Sequence, residues 1–90
     1  MNIIIYTTPK TLLHKKDTNY ICFYWSLLSF PKHVEEGDKI YFAAKGFIRG
    51  YFEIDEVDKP EIQWQPETWT AIKPIPCKPF QGFKYFFKEQ

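Results

Sequence analysis

Between residues 36 and 57 the chain carries a pattern that leaves little choice of local fold. Glu36-Gly37-Asp38 breaks the chain, and Lys39-Ile40-Tyr41-Phe42-Ala43-Ala44 is an apolar, aromatic run. Lys45-Gly46 then interrupts it before a second run over 47–57. Two strand-type runs separated by two residues ending in Gly specify a tight antiparallel hairpin, because the turn demands positive φ and Gly46 supplies it without steric cost. In the returning strand Ile48, Gly50, Phe52 and Ile54 alternate with Phe47, Arg49, Tyr51, Glu53 and Asp55. A period of two puts Ile48, Phe52 and Ile54 on one inward face. Gly50 within that face predicts a bulge, a bend or the close approach of another backbone.

The flanking segments read as further short strands. Ile3-Ile4-Ile5-Tyr6 is a β-branched run stopped by the loop Thr7-Thr8-Pro9. Residues 10–19 are polar, with Lys15-Lys16-Asp17-Thr18-Asn19 as an exposed turn. Residues 20–25 form a second aromatic strand, after which Ser26 can cap a short helical turn ended by Pro31. Ile62-Gln63-Trp64 is a short strand, and Pro66-Glu67-Thr68-Trp69 opens a brief helical turn. Pro74, Pro76 and Pro79 exclude a central strand and leave an edge or an extended connection. Lys84-Tyr85-Phe86-Phe87 closes the series after a turn at Gly82. The expected architecture is mainly β (a β-rich α+β chain): one domain over residues 1–90, a small pseudo-barrel of five to seven strands with one or two short helices.

Ninety residues give a small core, so the 18 aromatic residues exceed what it needs, and some should reach a binding surface. A net charge of +1 excludes a protein that coats nucleic acid by charge alone, but the charge is segregated. Residues 35–67 hold nine acids against four bases, whereas both ends of the chain are basic. If the ends pair, they form a basic face opposite an acidic one; a scatter of solvated charges is the alternative. Cys22 and Cys77 have no CxxC partner and no His at ligand spacing, so reduced thiols and a cytoplasmic setting are expected, with a disulfide as the lesser alternative. No apolar run approaches the ~20 residues that cross a membrane, and no cofactor or metal motif is present. His14 and His33 are isolated, and Glu53 with Asp55 fits a solvated strand face as well as a carboxylate pair.

Aromatics interleaved with cations carry the remaining signal. Single-stranded nucleic acid is held by base stacking on rings, worth about 1–3 kcal/mol each, with Lys and Arg at the phosphates. Candidate rings are Tyr6, Tyr24, Trp25, Trp64 and Trp69, and candidate cations are Lys10, Lys45 and Arg49. For any one ring, a place in the core competes with a place in a site. Trp25-Ser26 stands out, since a ring beside a hydroxyl can both stack on and hydrogen-bond a flat ligand.

The run Val34-Glu35-Glu36-Gly37-Asp38-Lys39-Ile40-Tyr41-Phe42, followed by Lys45-Gly46-Phe47-Ile48-Arg49-Gly50-Tyr51-Phe52-Glu53-Ile54, resembles the centre of the PUA-like superfamily and its ASCH, EVE and YTH branches. Ile5-Tyr6-Thr7-Thr8-Pro9 is similar to the EVE opening strand and loop. The resemblance implies a small β-barrel with a cleft that binds RNA or a single modified nucleobase. Tyr6, Thr8, Trp25 and Ser26 would line it, with Lys10, Lys45 and Arg49 on phosphates. Two other readings stay open. One is a protein-interaction accessory domain anchored by Trp64, Trp69 and Phe80. The other, ranked last, is a small hydrolase acting on a modified nucleoside, with Lys45 or Lys10, Glu53 and Thr8 as its candidates. The residues themselves favour a binding module over an enzyme.

Overall fold

The computed structural model describes residues 1–17 and 24–86. In chain order these form β1 (Asn2–Tyr6), α1 (Pro9–Lys16), β2 (Tyr24–Ser26), β3 (Lys39–Ala44), β4 (Phe47–Asp58), β5 (Glu61–Trp64), a 3₁₀ turn (Pro66–Thr68), β6 (Thr70–Pro76) and β7 (Phe83–Phe86). The strands make one mixed sheet in the order β2-β5-β4-β3-β1-β7, with β6 also on β4. β1 runs parallel to β3, and the other pairings are antiparallel.

The sheet curls because β4 changes partner along its length. Residues Phe47 to Tyr51 pair with β6, whereas Ile54 to Asp58 pair with β5. A strand of 12 residues bordered by different neighbours at its two ends bends the sheet into a half-barrel. The hairpin expected at Lys45-Gly46 is present, with φ of 50° and 84° at its two residues. Gly37, at φ 91°, makes the turn before β3; its N–H donates to the Ile54 carbonyl, and the Ile54 N–H donates to the Asp38 carbonyl. These two bonds lock the Gly-Asp turn onto the middle of β4.

Ile48 does not share a face with Phe52 and Ile54. The β3–β4 register pairs Phe42 with Gly50 but Ala43 with Ile48, which leaves Arg49 as an extra residue. One inserted residue reverses the alternation, since side chains have a period of two. Phe52 and Ile54 consequently join the first cluster, with Ile3, Ile5, Leu12, Ile40, Phe42, Ile62 and Trp64. Ile48 joins a second cluster on the other face, with Ile4, Tyr41 and Ala43.

Residues 9–16 form a helix rather than the polar loop and turn expected from composition. Thr8 is its N-cap, accepting from the Thr11 N–H at 3.1 Å, and Pro9 fills the first turn, where a missing N–H costs nothing. Lys15 and Lys16 occupy the last turn, where their positive charge offsets the negative end of the helix dipole. No helix follows Ser26, which is itself the last residue of β2. The Pro-rich segment is the edge strand β6, as its missing N–H groups require. Thr18 and Asn19 of the expected turn, residues 20–23 of the expected second strand, including Cys22, and Phe87 at the end of the last strand lie outside the described residues.

The chain ends do pair, through β1 and β7. They do not gather the basic side chains on one face: Lys15 and Lys16 lie over rings packed on the first cluster, whereas Lys84 lies over Phe80 on the second.

Candidate functional site

The aromatic end of the first cluster is built on Gly50. A Cβ at that position would come within 2.7 Å of the Trp69 ring, so only glycine lets the indole lie against the backbone of β4. The 3₁₀ turn delivers Trp69 there. Its Thr68 hydroxyl donates to the Gln65 carbonyl at 2.6 Å and accepts from the Glu53 N–H at 2.9 Å. Phe52 sits between Trp69 and Trp64, with both ring centroids 5.0 Å away, and Phe42 meets Trp64 and Trp25 at 5.5 Å.

α1 crosses this end and sets two cations over it. The Lys15 ammonium donates to the Tyr24 carbonyl at 2.9 Å and lies 4.8 Å from the Tyr24 ring and 5.7 Å from the Trp25 ring. The Lys16 ammonium lies 4.9 Å from the Trp69 ring. Each such pair contributes about 0.5–1 kcal/mol at an accessible site. Trp64, only 3% exposed, is core rather than surface and offers no anchor for a partner protein. Its buried indole N–H has no hydrogen-bond partner among the described residues.

Two clefts flank the β1–α1 connection. The first, about 430 Å³, is lined by Tyr6, Trp25, Ser26, Leu27, Leu28, Ser29, Gln81 and Gly82. It joins an indole to two serine hydroxyls and a carboxamide, the combination that a flat polar ligand needs. The second, about 290 Å³, combines the apolar Pro9, Leu12, Leu13 and Ala44 with Lys16, Lys45 and Arg49. The Tyr6 hydroxyl accepts from the Gly46 N–H at 2.6 Å and so ties the strand lining the first cleft to the turn that carries Lys45 into the second.

The bulge supplies Arg49. An unpaired residue in a bulged strand is re-aimed, and here the Arg49 Nε donates to the Ala44 carbonyl at 3.1 Å while the guanidinium lies 5.3 Å from the Phe47 ring.

Of the residues expected from sequence, Tyr6, Trp25 and Ser26 come together in the first cleft, and Lys45 and Arg49 in the second. Thr8 and Lys10 are in neither lining; Thr8 is engaged in capping α1, and Lys10 is an exposed residue of its first turn. Lys45 and Glu53 stand at opposite ends of the hairpin, roughly 15–20 Å apart along the strand at about 3.3 Å per residue, so they do not form an acid–base pair. Sequence reasoning passed over Lys16 and Leu12 as site residues. The Thr8-Pro9 helix start was the available signal for them.

Cys77 is a half-buried free thiol. Among the described residues no group of His, Cys, Asp and Glu could hold a metal, and no helix is long and apolar enough to cross a membrane. No protein family, curated protein or solved structure matches this chain.

Proposed function

We propose that this chain is a PUA-like module that binds RNA or another single-stranded nucleic acid in the cytoplasm, and that it admits a base, including a modified one, into the Trp25 cleft. The observation that carries this reading is the adjacency of the two clefts, one offering an indole with hydroxyls and the other offering three cations. Trp25 stacks on the base, Ser26 hydrogen-bonds its edge, and Tyr6 forms the adjoining wall. Lys45 and Arg49 meet the phosphates, and Lys10, exposed on α1, adds charge along the path of the strand. Thr8 contributes by starting α1 where it does.

Two or three phosphate contacts give a modest salt dependence, with log K falling by about 1.5–2 for each tenfold rise in salt. Fluorescence anisotropy with a labelled ten-nucleotide RNA, at two salt concentrations, measures this. Trp25→Ala should weaken binding by about tenfold, within the 1–3 kcal/mol that one stacked base supplies. The fold of the variant is checked by circular dichroism. Equal affinity of the wild type and a folded Trp25→Ala, or no RNA binding at all, would overturn the reading.

A protein-interaction accessory domain is the second reading. It is favoured by Leu13, 68% exposed in the second cleft, and by the exposed Leu28 at the first.

A further inference from the structure

The second cleft has a chemistry of its own. Lys16, Lys45 and Arg49 line it; among the described residues no carboxylate does, and none of the three cations has an ion-pair partner. Three cationic residues in the lining of one cleft, without a carboxylate beside them, call for an anion. Arg49 is the most preorganised of them, because its Nε is committed to the Ala44 carbonyl and its guanidinium is laid over Phe47. Lys45 projects from the tight turn, and Lys16 enters from the last turn of α1.

We infer that this cleft takes the terminal phosphate of a nucleic-acid strand, a phosphomonoester rather than a bridging diester. The inference rests on the nucleic-acid reading above. A diester presents one charge and two free oxygens. A monoester presents three acceptor oxygens and about −1.5 to −2 charges at neutral pH, which matches three cations in number and in sign. The shape agrees. A volume of about 290 Å³ holds a phosphate with part of its sugar against Leu12 and Leu13. The adjoining first cleft then receives a base near that end, since Tyr6 and Pro9, one lining each cleft, are only three residues apart.

The test compares three labelled ten-nucleotide RNAs of one sequence: both ends hydroxyl, 5′-phosphate, and 3′-phosphate. One phosphorylated RNA should bind about tenfold more tightly than the hydroxyl form, the factor that about 1.4 kcal/mol supplies. Which RNA gains tells which end is held. The advantage should shrink below about pH 6, where the monoester takes up its second proton. It should disappear in Lys45→Asn, which tolerates the positive φ of the turn, and in Arg49→Gln, while Lys73→Gln, exposed on β6, keeps it. Equal binding of all three RNAs would overturn the end-phosphate site and leave the nucleic-acid reading standing. Binding of none would overturn both.

Discussion

The two faces of the sheet are made from neighbouring residues of the same strands, yet they are closed very differently. On the first face Ile3, Ile40, Phe42, Phe52 and Ile62 are sealed from solvent beneath Leu12 of α1, Leu27 and Val34. On the second, among the described residues, only Ile4, Tyr41, Ala43 and Ile48 are buried, and a rim of half-buried side chains such as Tyr6, Tyr51, Ile75 and Phe80 covers them. Burial still has a chemical consequence there, raising the Tyr41 hydroxyl pKa above its usual value, with the neighbouring Tyr51 adding to it. The difference shows how one extra residue apportions a small core. The Arg49 bulge sends Ile48 to the looser face, keeps Phe52 and Ile54 on the tighter one, and frees Arg49 for the second cleft.

The contrast can be broken most strongly at its tight side. Phe52→Ala removes a ring wedged between Trp64 and Trp69 and should cost about 3–5 kcal/mol, a large share of the stability of a domain this size. Ile48→Ala on the looser face should cost about 2 kcal/mol, because half-buried neighbours can settle into the gap. Urea unfolding of both variants measures the gap between them. Equal losses would mean that the faces are equally packed.

Gly50→Ala sharpens the comparison at the pivot itself. Its methyl group collides with the Trp69 ring and the Thr70 carbonyl, so about 1–3 kcal/mol should be lost as Trp69 is displaced. Unfolding together with tryptophan emission checks this. A stable variant with unchanged emission would show that Trp69 does not need the glycine.

What could be read from the sequence follows the strength of local signals. The hairpin was legible because Lys45-Gly46 and the flanking alternation agree, and Gly50 pointed to a bulge, a bend or a close backbone approach without saying that the Trp69 ring would lie there. The reversal of faces was not legible, since a glycine does not say which neighbouring residue is left unpaired. α1 was missed because only Leu12 among its eight residues is buried, leaving no apolar stripe to detect despite the Thr8-Pro9 start. The site was split by the same gap. Tyr6, Trp25 and Ser26 could be named, as could Lys45 and Arg49, but Lys16 becomes part of the cleft only once a helix carries it there.

The most direct test of the two-cleft account is a ¹⁵N–¹H correlation spectrum of the chain titrated with a short single-stranded RNA. The account predicts that the largest shifts fall on the Trp25 indole, Ser26, Gln81 and Gly82, together with Lys45, Gly46 and Arg49. Shifts confined to Lys73, Lys78 and Lys84, or no shifts at either cleft, would contradict it.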